Sequence, residues 1–304
     1  MTGEEAERNP AAGTELVTLR SGRRVAVESY GDPHGQPVFF FHGWPSSRWQ
    51  GAVAHEAAVA TGARLLAVDR PGVGDSDYHA ERRLLDWPPL LAEVADQLGC
   101  DRFRVLGVSG GGPYALVSAW ALPARVQAAA VCCGVPPLSE RADTTALMPI
   151  YRMLLHLYRR RPAAMRIAFR AIRPLATVRP PGWAWRLLLR AIPKEDAAAL
   201  SMPGMQERAW CGYAGSWKGD RDGVFSDAQI YAQPWGFRPE EIRVPVRLWH
   251  GREDRNFRCS VAEELAACIP GCTATFLESE GHYSIAFRQC EAILRDLLSA
   301  GQQR

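Results

Sequence analysis

Short, continuously apolar runs that alternate with helix-like stretches constrain this chain more than any other feature. Residues 37–41 (PVFFF), 64–68 (RLLAV), 103–108 (FRVLGV) and 126–133 (VQAAAVCC) lack the inside–outside alternation of a half-exposed strand. A strand covered on both faces reads this way, and such strands belong to parallel sheets flanked by helices. Helical patterns lie between the runs, near 46–60, over 84–98 and over 111–121. That order predicts right-handed crossovers and parallel pairing. The start of the sheet differs. Residues 14–20 (TELVTLR) and 24–30 (RVAVESY) are parted only by Ser21-Gly22-Arg23, which predicts an antiparallel hairpin.

The alternation stops at Pro136-Pro137, and from there to about 241 the chain is Trp-, Arg- and Pro-rich with helical patches and no clear strand. It resumes with a strand at 244–249 (VPVRLW), a helix near 260–269, a strand at 273–277 and a helix near 285–299. The expected fold is α/β: a mostly parallel eight-stranded sheet flanked by helices, with an inserted helical cap. The expected divisions are a disordered tail at 1–13, a core domain at 14–135 and 242–304, and a cap at 136–241.

Composition narrows the function classes. With 304 residues, 47% of them hydrophobic, the chain can bury a large core without disulfide or metal staples. A net charge of +3 is too small to argue for nucleic acid. No stretch has 18 uninterrupted apolar residues, and the Glu-rich start offers no secretory core, so we expect a cytoplasmic protein without integral membrane association. The eight cysteines include no Cys-x-x-Cys pair, and reduced thiols are expected. No His/Cys/Asp cluster has metal-ligand spacing. Gly72-Val73-Gly74 lacks the third glycine and the later acid of a dinucleotide-binding turn.

The strongest local signal is Gly107-Val108-Ser109-Gly110-Gly111, at the end of an expected buried strand and running into an apolar helix. A serine presented on so tight a strand-to-helix turn needs small neighbours, and the helix start turns unpaired N–H groups toward it. A serine hydroxyl is a weak nucleophile and needs a base, itself oriented by an acid. Strand 244–249 runs into His250-Gly251-Arg252-Glu253-Asp254, and strand 273–277 is followed by Glu280-Gly281-His282. Both loops fall at the sheet edge that holds Ser109, in the order Ser, Asp, His. Asp254 competes with adjacent Glu253, and the Gly251-x-x-Asp spacing favours Asp254. An oxyanion would need waiting donors. These are the N–H of Gly110 and, from His42-Gly43-Trp44-Pro45, the N–H of Trp44, because Pro45 cannot donate.

With HGWPSS (42–47), DRPGVGDSD (69–77), GVSGGGPYAL (107–116), WHGREDRN (249–256) and EGHYS (280–284), the sequence resembles the α/β-hydrolase superfamily, its cap-bearing esterase-like branch. The resemblance covers roughly 24–135 and 242–300 and implies a first loop that supplies an oxyanion donor and an Asp-Arg-Pro-Gly loop that floors the site. It implies a serine hydrolase of a carboxylic ester or related acyl bond of a small apolar substrate, working without a cofactor. It also keeps open a carbon–carbon hydrolase, a lyase or cyclase, and a ligand receptor that retains the triad. Ser109 at the elbow argues against the relatives with an Asp nucleophile.

His42, Pro45, Trp183, Trp210, Trp217 and Tyr283 are candidates for lining a substrate pocket, although His42 reads more readily as a packed structural residue, as does His250. Between Thr144 and Pro193 stand ten arginines and no acid. A solvated face is the plain reading. An anionic substrate, a membrane surface or a partner protein are the alternatives.

Overall fold

The computed structural model describes residues 13–140, 143–219 and 222–301, so the expected tail lies outside the described residues but for Gly13. Eight strands form one sheet: β1 (Thr14–Thr18), β2 (Arg24–Gly31), β3 (Gln36–Phe41), β4 (Ala63–Val68), β5 (Phe103–Val108), β6 (Val126–Cys132), β7 (Val246–Gly251) and β8 (Cys272–Leu277). Their order is β1-β2-β4-β3-β5-β6-β7-β8. The β1–β2 and β2–β4 pairs are antiparallel, and every later pair is parallel.

Side-chain alternation along β3 explains its apolar run. Phe39 and Phe41 enter one core layer with Leu91 and Leu116, whereas Val38 and Phe40 enter the opposite layer with Leu294 and Leu297. Each face is covered by helices, so none of the positions from Val38 to Phe41 is free to be polar. Burying each phenylalanine contributes roughly 2–3 kcal/mol. The covering helices of the core are α1 (His55–Thr61), α2 (Trp87–Gln97), α3 (Gly112–Ala121), α10 (Cys259–Cys268), α11 (His282–Arg288) and α12 (Cys290–Ser299). The helix expected near 46–60 is a 3₁₀ stretch over Arg48–Ala54 followed by α1. Its Gly51 lies against the Tyr30 ring, where a Cβ would stand 2.6 Å from a ring carbon. The helix expected at 285–299 is likewise two, broken at Gln289 (φ −103°, ψ 7°).

Between β6 and β7 the described residues hold no named strand. They form α4 (Pro149–Arg160), α5 (Pro162–Ala176), α6 (Gly182–Ala191), α7 (Lys194–Leu200), α8 (Met205–Ser216) and α9 (Gly223–Tyr231). This insertion is stitched to the core by an isolated bridge between Leu147 and Phe257 and by α8, whose Gly212 and Gly215 sit against Ser46, Ser47 and Trp49. Among the described residues no helix is long and apolar enough to cross a membrane. All eight cysteines are free thiols.

Parallel registers bring the C-terminal ends of the strands to one edge, with Phe41 beside Gly107 and Gly251 beside Leu277. The turn from β5 into α3 crosses the end of β3 so closely that a Cβ on Gly111 would collide with the Phe41 carbonyl oxygen. Gly99 offers a contrast, with φ of +68° but open space around it. Gly111→Ala should therefore lose about 3 kcal/mol or more of stability, through collision with backbone that cannot yield. Gly99→Ala should lose only the left-handed penalty of about 1–2 kcal/mol. Urea midpoints compare the two. Equal losses would show that the crossing is not tight.

Candidate active site

Ser109 stands where β5 ends, with φ of +52°, in the left-handed region that an L-residue other than glycine rarely adopts. It persists because the strand before it is buried throughout and the helix after it is buried from Gly112 to Ala119, which fixes the direction of the chain. Asp254 follows β7, its N–H bonded to the Gly251 carbonyl at 3.1 Å. Its Oδ1 accepts the N–H groups of Asn256 (2.7 Å) and Phe257 (3.1 Å), which leaves Oδ2 for His282 Nδ1 at 2.8 Å. His282 Nε2 lies 3.0 Å from Ser109 Oγ. A carboxylate only accepts, so Nδ1 carries the proton and Nε2 accepts from the serine hydroxyl. The structure thus brings Ser109, His282 and Asp254 into one hydrogen-bonded line. Glu253 instead holds its backbone N–H on the Glu280 carbonyl at 3.0 Å.

Burial opposes a charge on His282, but the Asp254 carboxylate outweighs it and holds the imidazole well above its ordinary value of 6.5. Burial likewise opposes ionisation of Asp254, and His282 overcomes this and keeps the carboxyl below its usual range.

The first loop narrows to one free donor. The Gly43 N–H is taken by Gln50 Oε1 at 2.6 Å, and Pro45 has none, which leaves Trp44. Gly110 packs closely on it: a Cβ there would stand 2.8 Å from Trp44 Cβ and 3.1 Å from Trp44 N. The first intrahelical bond of the elbow runs from Gly112 N–H to the Ser109 carbonyl, so the Gly110 N–H precedes the helical ladder.

Three residues of the insertion that sequence reasoning missed hold this arrangement. Asp196 of α7 accepts the N–H groups of His282 (3.1 Å), Tyr283 (2.9 Å) and Ser284 (2.8 Å), the otherwise unpaired donors that open α11. Asp227 of α9 pairs with Arg82 and, at 2.7 Å, with Arg70 Nε. Arg70 in turn donates to the carbonyls of His42 (2.6 Å) and Gly43 (2.8 Å). Tyr231, one helical turn beyond Asp227, donates to the Gly110 carbonyl at 2.9 Å. The one available signal was Asp227, a lone acid in the apolar stretch GVFSDAQIY. Nothing distinguished Asp196 from an ordinary acid at a helix start.

A small cavity of about 40 Å³ adjoins Ser109. Its wall includes Trp44, Met165, Tyr231 and Phe257, together with Tyr151, Leu154, Leu155 and Tyr158 from one face of α4, and no charged side chain. None of the six candidate pocket residues lines it, whereas Trp44, expected as an oxyanion donor, does. His42 is wholly buried, its Nδ1 2.9 Å from the Gly43 carbonyl, and half-buried Pro45 follows Trp44 in the same loop. Trp217 packs with Phe169, Trp210 faces Tyr213, and Tyr283 opens onto a separate surface depression. Trp183 is 65% exposed on α6. Aromatic content alone does not tell cavity lining from helix surface. His250 is also buried, its Nε2 2.9 Å from the Phe257 carbonyl. Among the described residues, one group could supply three metal ligands: Cys133, Asp254 and His282, with ligand atoms within 4.8 Å of one another. A metal there would have to break the Asp254–His282 bond.

Residues 36–288 match the family model described as alpha/beta hydrolase fold. The chain is 27% identical over 277 residues to a Bacillus subtilis (strain 168) protein provisionally named 2-succinyl-6-hydroxy-2,4-cyclohexadiene-1-carboxylate synthase, covering 89% of this chain and 92% of that one. It is 33% identical over 105 residues to a pimeloyl-[acyl-carrier protein] methyl ester esterase of Legionella pneumophila (strain Corby), 34% of this chain and 39% of the relative. Its structure superposes on an esterase of Exiguobacterium antarcticum with a TM-score of 0.67 at 20% identity, covering 94% and 98% of the two chains.

Removing Asp227 leaves two buried guanidinium groups facing no carboxylate. Asp227→Ala should lower stability by about 3–5 kcal/mol, read as a shift of the denaturation midpoint. A change below about 1 kcal/mol would mean that the arginines have other partners.

Proposed function

This chain belongs to the alpha/beta hydrolase fold family, and from that premise we propose that it is a serine hydrolase that cleaves a carboxylic ester or related acyl bond. The carrying observation is the line Ser109 Oγ–His282 Nε2 at 3.0 Å and His282 Nδ1–Asp254 Oδ2 at 2.8 Å. His282 takes the serine proton as Oγ attacks the carbonyl carbon. The oxyanion forms against the N–H groups of Trp44 and Gly110. As it collapses, the imidazolium returns its proton to the leaving alkoxide, and an acyl-serine remains. Water, deprotonated by His282, then releases the acid. Asp254 stays ionised throughout, fixing the tautomer and stabilising the imidazolium. The insertion acts as a cap, since α4 and α5 contribute the wall opposite the core.

The lining supports a neutral, largely apolar acyl group. The relative from Bacillus subtilis is named for a carboxylate product. A pocket suited to such an anion would present a cation, and here Arg70 is committed to Asp227 and two carbonyls. A lyase- or synthase-type outcome at the same serine is the second reading, favoured by the length of that match.

A fluorophosphonate probe should label the wild-type protein covalently, and Ser109→Ala and His282→Ala should not be labelled. On p-nitrophenyl esters Ser109→Ala should lose roughly 10⁴-fold or more in kcat. Labelling that survives in Ser109→Ala would remove the assignment.

The pH profile makes a separate claim. His282 works as a base only when neutral, and Asp254 raises its pKa, so activity should fall with acid through a limb above about 6.5. Asp254→Asn should shift that limb downward and cut kcat by about 10³–10⁴. A wild-type limb at or below the free imidazole value would break the pairing.

A further inference from the structure

The insertion leaves an unusual share of its large apolar side chains facing outward. Of the fourteen large hydrophobic side chains that are exposed among the described residues, ten lie between Ile150 and Met202. Ile167, Leu175, Val178, Trp183 and Leu187 each leave between 61% and 71% of their surface open. On α5 apolar residues lie on both sides of the helix, Met165 and Ala176 buried and Ile167, Ile172 and Leu175 exposed. Arg166 and Arg170 pair with Asp222 while staying partly exposed, and Arg173 donates to the Trp217 carbonyl. On α6, Trp183, Arg186, Leu187 and Arg190 recur at spacings of three, four and seven, and all four are exposed.

Burying apolar surface is the main force that organises such helices, so an outward apolar stripe signals a surface that something covers. Its charge selects the partner. No acid occurs from Thr144 to Pro193, and Arg152, Arg160, Arg161, Arg186 and Arg190 form no ion pair with a described residue. A second copy of the chain would set these unpaired cations against one another, which disfavours self-association. An anionic lipid surface matches both features: it accepts Trp and Leu at the headgroup level and attracts each arginine. We propose that the α4–α6 face docks in the plane of an anionic phospholipid membrane, without crossing it.

The placement fits the cavity. Helix α4 lines the space beside Ser109 with Tyr151, Leu154, Leu155 and Tyr158, and exposes Ile150 and Met153 on its other side. One helix therefore stands between the surface and the site, and an apolar acyl group reaching the site from a bilayer would avoid open water. The docking itself does not depend on the chemistry assigned to Ser109.

Cosedimentation of the full chain with vesicles tests this. Diether lipids are used, so that binding is read apart from hydrolysis, with phosphatidylcholine alone compared with phosphatidylcholine plus phosphatidylglycerol. The protein should pellet with the anionic vesicles, lose binding as salt rises, and remain in solution with phosphatidylcholine. Each unpaired arginine near the surface is worth about fivefold in binding, so Arg186→Glu/Arg190→Glu should weaken it roughly twentyfold or more. Leu175→Glu/Leu187→Glu should weaken it at least as much, and both variants should turn over a short water-soluble ester like the wild type. Absence of pelleting, or binding unchanged in both variants, would overturn the proposal. A wild-type dimer that becomes monomeric in Leu175→Glu/Leu187→Glu would also overturn it, and assign the face to a second copy.

Discussion

The close crossing of the β5–α3 turn over the end of β3 is the constraint from which the rest of the site follows. Glycine at 107 and 111 lets the two backbones meet, and a Cβ at either place would run into main chain. At this turn Ser109 adopts its left-handed conformation and Gly110 packs against Trp44. The strain at one residue, of order 1–3 kcal/mol, is small against the two buried core layers that impose it. Because the parallel registers end together, the loops after β7 and β8 arrive at the same edge, where Asp254 and His282 meet the serine.

The core nevertheless does not complete the site. Asp196 closes the start of α11 and so aims His282, whereas Asp227 holds Arg70 against the two carbonyls that shape the first loop. Both carboxylates are buried, and both come from the insertion. Burial makes these bonds stronger than surface pairs and makes the loss of one partner costly. The insertion is therefore part of the scaffold of the site as well as its roof.

The fold was legible because its signals are local. Continuous apolar runs such as PVFFF report burial on both faces, and glycine at 107, 110 and 111 reports a turn that side chains would obstruct. The Ser109–Asp254–His282 line was legible for the same reason, since each member sits just beyond a strand that could be recognised. The supporting shell was not. Asp196 and Asp227 act across 86 and 157 residues, on His282 and on Arg70, and their neighbours in sequence carry no trace of those partners. The cavity wall was missed for a different reason. Trp183 and Trp217 drew attention as aromatics, but the wall is made by α4, whose Tyr151, Leu155 and Tyr158 share a face only once the helix is known.

The two halves of the insertion are held by unequal forces, and this decides how a substrate can enter. Helices α7 and α9 are tied to the core through buried carboxylates, and to move them would disturb His282 and the first loop together. Helices α4 and α5 are held by bonds that involve no buried carboxylate, such as Arg159 to the Leu138 carbonyl and Gln233 to Tyr158, and by the partly exposed pairs of Arg166 and Arg170 with Asp222. Exposed pairs contribute about 1 kcal/mol or less, whereas buried ones cost several to break. A cavity of about 40 Å³ has room for only a few waters, so an acyl chain of the kind proposed would need the wall to yield. The side that yields at least cost is α4–α5, which is also the side that turns its apolar stripe outward. Entry from that side would keep the buried bonds of Asp196 and Asp227, but Trp44, whose ring packs on Tyr151 of α4 and Phe169 of α5, would lose those contacts as the wall yields.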